Sequence, residues 1–470
     1  LINGINAEIE FKNQHFKILD ANGFLDQSKL ISVNGGITDI FSKNPELSLT
    51  GKISGPLQNF IYIANNSPIK NWLWGATKTA TGNGQTDLNL SLSLNLKKIK
   101  TSKVIGSLIF KNTDIFFNEN FLPMKNITGE VNFSEKSLLN VDCNGKILGG
   151  EVKLFSSHLS NFKKGIYLNS SGIIEGTGLQ GWVNENFGIP IQSKIIGSSE
   201  YDAKIKLFKG SMDIEMDSDL RGLLLDLPDP LYKAKKKSRK VNAKFSYQIP
   251  SVGEDWKRIW DVRLGNNLIF LVNRVQNTHK KSHDDLSIQK KFAVLIDEKE
   301  SLDLAEKFSK EFSNVPFNKI IINYSQLDAK SWIDFLGEIK NYSQSSLLNI
   351  LDKNPLKFEL NTGELNFDKY NFTNFYVQTI ATANSFSGIF KSSESTGVFN
   401  WIEKLNKLKV HLSHFHSNKH KYNDFYLGEE LGKYVTFKDE ENWPSIKLFI
   451  DDFKSFDFQG KLALEANYLA

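Results

Sequence analysis

The chain has 470 residues and carries 58 Lys and Arg against 53 Asp and Glu, a formal net charge of +5. A charge this small over this length lacks the basic footprint of a nucleic-acid-binding protein. The single cysteine, Cys143, excludes an intrachain disulfide and a thiolate metal cluster, and apolar runs such as Leu268–Val272 are far shorter than the ~20 residues of a membrane-spanning helix.

The dominant pattern along the chain is an alternation of apolar and polar residues. It is clearest over Leu88–Leu96, where leucines alternate with asparagine and serine. Such alternation predicts a β-strand with one apolar and one polar face. The same pattern predicts further strands at Val104–Phe110, Ile127–Phe133, Leu139–Cys143, Val152–Leu154, Ala203–Leu207, Met212–Met216, Leu365–Phe367 and Lys461–Leu464.

Dipeptides that contain glycine interrupt the alternating pattern. Asn-Gly occurs at 22–23, 34–35, 83–84 and 144–145, and this dipeptide predicts tight hairpin turns. The Gly-Gly pair at 149–150 lacks a following helix, so it predicts a turn or bulge between strands rather than a phosphate-binding loop.

Helical spacing is confined to a few segments. Within 53–75, the apolar spacing predicts one helix over 57–64 and a second after Ser67, over 68–74. Residues 301–312 predict an amphipathic turn or two. The strongest helical pattern lies in 331–352, where Trp332 and Phe335 begin an i, i+3, i+4, i+7 stripe, and it predicts a helix that caps an end or edge of the sheet.

Four histidines fall close together, and they raise the question of a metal site. On a strand, His414 and His416 would share a face and could begin a two-ligand site; the other two are His411 and His420. No carboxylate or cysteine stands nearby in an obvious third-ligand position, so the pattern favours a polar strand end and predicts no metal.

The motifs of common catalytic sites are absent from the sequence. There is no G-x-S-x-G elbow, no H-E-x-x-H helix and no G-x-x-x-x-G-K-[ST] loop. The neighbouring carboxylates Asp451 and Asp452 are expected to face opposite ways on a strand, which suits acid–base chemistry poorly. The sequence therefore predicts a protein that is not an enzyme and that carries no cofactor.

Strands with one apolar face must bury that face away from water, and the alternation is compatible with three arrangements of the sheet. Two sheets can pack together, one sheet can close into a barrel, or one sheet can curl into an open trough. A trough would offer its lining to a long apolar guest. At ~0.8 kcal/mol per CH₂, an acyl chain would need on the order of 10 kcal/mol to cross water unprotected.

The segment SDLRGLLLDLPDPLYK over 218–233 resembles a signature of the large bacterial AsmA-like proteins of the YhdP type. In that family a strand ending in Ser-Asp-Leu-x-Gly precedes a Leu-Pro-x-Pro-Leu-x-Lys turn. Further segments are similar to family landmarks in the same order along the chain: 53–69, 82–96, 126–133, 147–150, 325–336 and 443–466.

This resemblance implies a mainly β fold, in which a long, twisted and curled, antiparallel-rich sheet forms an elongated open groove with a few short helices. Residues 1–470 would be a periplasmic segment of a longer chain, with a possible sub-boundary near 233–242. A preceding N-terminal segment would anchor the protein in the inner membrane of a Gram-negative bacterium. Pro228 and Pro230 cannot donate to a ladder, so the sheet is expected to stop or break there.

The resemblance also implies the function, which is the transport of phospholipid from the inner to the outer membrane without catalysis. The expected partners are phospholipid acyl chains and the two membranes, reached through other parts of the parent chain; no nucleic acid is expected, and the chain is expected to be a monomer. The basic run Lys233–Lys240 would be a solvated loop or would contact anionic headgroups.

Alternating apolar positions are the predicted lining of this groove. They are Leu88, Leu90, Leu92, Leu94, Leu108, Phe110, Ile127, Val131, Phe133, Ile205, Leu207, Ile214, Met216, Leu365 and Phe367. The alternative reading is a structural or adhesive β-repeat protein whose own side chains fill its core. A β-rich hydrolase is a third possibility, but no group of residues supports it.

Overall fold

The structure is a computed structural model of the chain. It describes residues 2–66, 77–98, 101–117, 122–156, 165–187, 189, 191, 193–208, 211–248, 256–276, 288–299, 306–310, 312, 317–342, 354–368, 370–382, 384–402, 407–416, 445–455 and 458–466.

Strands dominate the described residues, as the alternation predicts. The strands are β1 (Ile2–Lys12), β2 (His15–Leu25), β3 (Ser28–Ile37), β4 (Glu46–Pro56), β5 (Thr81–Asn95), β6 (Lys103–Phe116), β7 (Met124–Ser134), β8 (Leu138–Ile147), β9 (Gly150–Ser156), β10 (Ile166–Glu175), β11 (Ile195–Phe208), β12 (Ser211–Ser218), β13 (Leu223–Leu225), β14 (Val241–Gln248), β15 (Trp256–Leu264), β16 (Leu268–Gln276), β17 (Ile288–Asp297), β18 (Asn318–Asp328), β19 (Leu356–Phe367), β20 (Tyr370–Ala381), β21 (Ser385–Lys391), β22 (Ser395–Ile402), β23 (Lys407–His416), β24 (Ser445–Ser455) and β25 (Phe458–Ala466).

These strands form a single long sheet that stays open, and in it 24 strands follow one another in a continuous ladder. Apart from the short β13, each strand pairs with the next strand along the chain. The pairings are antiparallel except for β17–β18, β18–β19 and β23–β24, which are parallel. At ~4.8 Å between neighbouring strands, the ladder is on the order of 110 Å long. The predicted fold class is confirmed.

The four Asn-Gly pairs do not form turns, so that prediction is wrong. Each lies inside a strand, in β2, β3, β5 and β8. A Cβ on Gly35 would lie 2.0 Å from the carbonyl oxygen of Ser48, so the glycine permits a close approach of two strands. Gly84, at φ 92°, lies at a shift in register between β5 and β6. Glycine inside a strand marks such bulges and close approaches as readily as turns.

The Gly-Gly pair does lie where a turn was predicted. β8 ends at Ile147 and β9 begins at Gly150, and the two connecting residues, Leu148 and Gly149, have φ of 51° and 82°. Positive φ at both central residues is the geometry of a tight two-residue hairpin.

Three helices follow strands that run in the same direction, so they lie along the same edge of the sheet, called here the helix edge. They are α1 (Leu57–Asn65) after β4, α2 (Gly176–Phe187) after β10 and α3 (Ala329–Tyr342) after β18. α1 and α3 lie where the apolar spacing predicts helix. The predicted helix over 68–74 lies outside the described residues, and so does the predicted continuation beyond Tyr342.

Strand β16 shows why one apolar run lacks alternation. Its residues Ile269 and Leu271 pack on one side against Phe308 and Phe312, which belong to the helical segment around 306–310. On the other side Val272 is fully buried. A strand covered on both faces reads as a continuous apolar run, as Leu268–Val272 does.

The sheet does not break at the two prolines, and that expectation is wrong. β12 pairs directly with β14 along its whole length, so the ladder continues. The segment between them leaves the sheet at the helix edge and contributes only the short β13, which pairs with the start of β11. The turn of the family signature is present, and its last residue is anchored: Lys233 is 4% exposed and donates from Nζ to the carbonyl oxygen of Leu223 at 2.7 Å.

Candidate functional site

One face of the sheet carries a continuous row of apolar and small neutral residues, and this face is called here the apolar floor. It can be followed from strand to strand through directly paired residues. From β5 to β24 the sequence of partners is Thr86, Phe110, Gly129, Cys143, Leu154, Ser170, Ala203, Met216, Ala243, Val262, Phe270, Val294, Ile320, Phe358, Thr379, Gly388, Phe399, Val410 and Leu448. Every member of this row is apolar or small and neutral.

The first strands of the chain continue the apolar floor. Leu92 in β5 pairs with Leu49, Leu49 with Gly35, Gly35 with Ile18, and Ile18 with Ile9 in β1. The floor therefore extends across the whole described sheet, because in each strand the apolar residues recur on the same side.

The opposite face carries charge. Lys204, Glu215, Lys244 and Asp261 are successive partners across β11, β12, β14 and β15. Lys244 Nζ lies 3.1 Å from Glu215 Oε1, and both side chains are about half exposed. Exposed pairs of this kind add little stability, but they define a hydrated outer face.

Most predicted lining residues lie on the apolar floor and are half-buried. In β5 these are Leu88, Leu90, Leu92 and Leu94; in β6 and β7 they are Leu108, Val131 and Phe133; in β11 and β12 they are Ile205, Leu207, Ile214 and Met216. Half-buried side chains of this kind contact their neighbours on the sheet and keep part of their surface exposed.

Phe110 and Ile127 lie on the same face but are covered. They are 8% and 2% exposed and pack against Leu57 and Ile61 of α1. A Cβ on Gly82 would lie 2.7 Å from Leu57, so α1 sits directly on the sheet. These two residues therefore belong to a core beneath α1 rather than to the open floor.

Leu365 and Phe367 follow a kink in the ladder. Leu360 lies on the apolar floor, and if side chains alternated strictly along β19, Leu365 and Phe367 would lie on the charged face. The kink is Asn374, at φ 50°, which lies opposite Gly363. Beyond it Phe372, the partner of Leu365, lies 6.0 Å from the Phe375 ring on the apolar floor. Leu365 and Phe367 are half-buried beyond this kink.

A phenylalanine track on β20 to β22 was not among the predicted lining residues. The ring centroids of Phe375 and Phe390 are 6.4 Å apart, those of Phe390 and Phe399 are also 6.4 Å apart, and Phe386 lies 5.1 Å from Phe399. All lie on the apolar floor. The sequence does contain a signal for this track, because Phe386, Gly388 and Phe390 have the i, i+2, i+4 spacing of one strand face. The glycine at the middle position makes the alternation harder to recognise.

Helix α2 lies on the apolar floor and is not predicted from the sequence. Its apolar residues Leu179, Trp182, Val183 and Phe187 share one helical face. Leu179 and Val183 pack in a cluster with β13 and β14, which also receives Phe335 of α3. Three glycines among the residues GTGLQGWVNENF conceal the helix, because glycine has low helix propensity.

The histidine segment contains pairs with carboxylates, contrary to expectation. The parallel pairing of β23 and β24 brings His411 Nε2 within 2.8 Å of Asp451 Oδ2, and His416 Nε2 within 3.3 Å of Asp452 Oδ2. The first pair is exposed and the second is half-buried. The described residues contain no group of three or more His, Cys, Asp or Glu side chains placed to hold a metal ion, and His420 lies outside them.

A separate cleft of about 890 Å³ lies near the helix edge. Its lining includes Asp202, Asp217 and Arg263 of the charged face. It also includes Val241 and Leu268, which lie on the apolar floor, so the cleft reaches both faces near this edge. Among the described helices, none has the length and apolarity needed to cross a bilayer.

Cys143 tests the packing beneath α1. It is 2% exposed, and burial, with a contribution from neighbouring Asp142, raises the pKa of its thiol to about 11. Because the thiolate is the reactive form, we expect negligible reaction with a thiol reagent at pH 8 in the folded protein and full reaction in denaturant. Rapid reaction of the native chain would contradict the core described here.

The family model described as YhdP protein matches residues 1–467, nearly the whole chain. No curated protein matches the chain.

Proposed function

The chain belongs to the YhdP family, which is part of the AsmA-like families of envelope lipid transport, and we therefore propose that it carries phospholipid between the inner and outer membranes along its apolar floor. In this proposal the acyl chains lie on the floor and the headgroups face water at the open side of the groove. The protein binds and guides the lipid and catalyses no reaction.

The observation that carries the proposal is the continuity of the apolar floor. Paired residues trace it from Ile9 in β1 to Leu448 in β24. A globular core needs apolar residues only where two layers meet, whereas this face runs along a sheet on the order of 110 Å long. A contiguous apolar surface of this extent normally marks a binding site.

The energetics favour a lipid as the occupant. Each CH₂ group moved from water to an apolar surface gains about 0.8 kcal/mol. Because the side chains along the row are apolar or small and neutral, a chain moving from one strand to the next exchanges one uncharged contact for another. The free energy along the path is therefore nearly level, as a conduit requires.

The location follows as part of the same proposal. A lipid path between two membranes would place this segment in the periplasm, with the anchor in the inner membrane supplied by another part of the parent chain. The lone buried cysteine suits an oxidising compartment. Exposed Lys235, Lys236 and Lys237 at the helix edge would then face the headgroups, where each lysine near an anionic surface contributes about 1 kcal/mol.

Site-specific photocrosslinking tests the proposal. A photoreactive residue at Leu92, half-buried on the floor, should capture phospholipid when the protein is purified from cells. The matched control is its neighbour Ser93, whose side chain points to the outer face. Phe133 and Asn132 in β7 form a second pair of the same design. Equal labelling of both faces would contradict a groove that holds lipid.

The alternative, a β-repeat protein with a self-filled core, has local support where α1 and α2 cover the floor. It predicts that the chain purifies without lipid. Native mass spectrometry separates the two: bound phospholipid supports the conduit, and a bare mass together with unlabelled Leu92 supports the structural role.

A further inference from the structure

Burial along the apolar floor is uneven. On β19 to β23 the floor residues Phe358, Val377, Phe390, Phe399 and Val410 are half-buried, as are the leucines of β5. Between these sections, on β14 to β16, five floor residues are almost completely covered: Val241, Ala243, Trp260, Leu268 and Val272 are 8%, 1%, 1%, 8% and 0% exposed. Phe245, Val262 and Phe270 of the same strands are half-buried.

Helix α2 contributes the cover. The Trp182 ring lies 4.9 Å from the Trp260 ring, and Phe187 lies 5.8 Å from Trp260 and 5.3 Å from Phe270. Phe245 completes the cluster at 5.9 Å from Trp260. α2 starts beside β11 and reaches rings on β15 and β16, so it lies across the groove.

The side of α2 away from the floor is polar and exposed. Thr177, Gly181, Asn184 and Glu185 lie there. α2 therefore shields part of the floor from water with one face and meets solvent with the other. While α2 is in place, an acyl chain cannot occupy the surface of Trp260 and Phe270 that Trp182 and Phe187 cover.

The first turn of α2 packs closely against the sheet, whereas the sequence of the helix has low intrinsic helix propensity. Gly176 and Gly178 let its first turn approach the sheet, since a Cβ on Gly178 would lie 1.8 Å from the carbonyl oxygen of Leu148. Its interior contains Gly181, and each interior glycine lowers helix stability by roughly 0.5–1 kcal/mol relative to alanine. Helices of about this length depend on tertiary packing for stability, and here that packing comes from Trp182 and Phe187.

We propose that α2 is a gate in the lipid path, and that Trp182 and Phe187 are the residues that close it. In the closed state their rings occupy part of the floor of β14 to β16, between the half-buried leucines of β5 and the half-buried floor of β19 to β23. Passage of an acyl chain requires the rings to leave Trp260 and Phe270, so the lipid competes with α2 for the same apolar surface. This inference rests on the proposed function.

Photocrosslinking at three positions of the whole chain tests the gate. A benzoylphenylalanine is placed at Leu92 and at Phe399 in the open sections, and at Phe245 beneath α2. In the otherwise unchanged chain we expect phospholipid labelling at Leu92 and Phe399, and labelling several-fold weaker at Phe245. In the background Trp182→Ala/Phe187→Ala, labelling at Phe245 should rise to the level seen at Phe399.

Matched variants guard against a folding defect. Trp182→Phe keeps a ring and should leave Phe245 weakly labelled, while Trp182→Leu keeps apolar bulk for folding and should raise the labelling. Labelling at Phe245 equal to that at Phe399 in the unchanged chain would overturn the gate, and so would labelling that the ring-removing variants fail to raise. Absence of lipid at Leu92 and Phe399 would instead overturn the proposed function.

Discussion

Leu90→Asp should abolish most of the phospholipid that co-purifies with the chain. Leu90 is half-buried on the apolar floor and pairs with Gly51 and Gly106, so a carboxylate there would project into the path between two glycines. A lipid chain could pass only by desolvating this carboxylate, which costs several kcal/mol. We expect bound phospholipid, measured by mass spectrometry of the purified chain, to fall by about tenfold or more.

Ser91→Asp is the matched control for this prediction. Ser91 is the next residue of β5, is exposed and lies on the outer face, where a carboxylate stays hydrated. It should leave bound lipid unchanged. Thermal unfolding of both variants would show that the sheet remains intact. A loss of lipid of the same size in both would argue against a lipid path on the apolar face.

Gly178→Ala should loosen α2 from the sheet. The new Cβ would lie 1.8 Å from the carbonyl oxygen of Leu148, which belongs to the backbone of the β8–β9 turn and cannot move aside cheaply. Overpacking of this kind costs about 1–3 kcal/mol. We expect a lower midpoint of thermal unfolding and faster hydrogen exchange of the α2 amides.

Gly181→Ala, in the same helix, should change the stability of α2 in the opposite direction. Gly181 is exposed and a Cβ there meets nothing within 4 Å, so only helix propensity changes. The alanine should stabilise α2 by up to about 1 kcal/mol and slow its hydrogen exchange. If both substitutions had the same effect on exchange, the close contact of α2 with the β8–β9 turn would be wrong.

Residues with strict alternation were predictable because the period of a strand is fixed by its backbone. Leu88 to Leu94 read as one face of a strand and lie on one face of β5. Asn-Gly pairs were misread because glycine permits both a turn and a close approach of strands, and only the neighbouring strand decides between them. At Gly35 that neighbour is the carbonyl of Ser48, which is distant in sequence.

The histidine segment shows the same dependence on distant partners. The parallel pairing of β23 with β24 places Asp451 beside His411, although some forty residues separate them along the chain. Pairing across a long crossover cannot be inferred from the spacing within either strand, so the carboxylate partners were not foreseen.

The sequence by itself determined that the chain is built from strands with one apolar and one polar face, because side-chain direction in a strand depends only on local backbone geometry. Only the tertiary structure decided which parts of the apolar face are open and which are covered. That outcome depends on where α1 and α2 come to rest, and α2 is stabilised by Trp260 and Phe270 rather than by its own glycine-rich sequence. Contacts between residues far apart in the chain thus determine which parts of the apolar floor are exposed and which are covered by a helix.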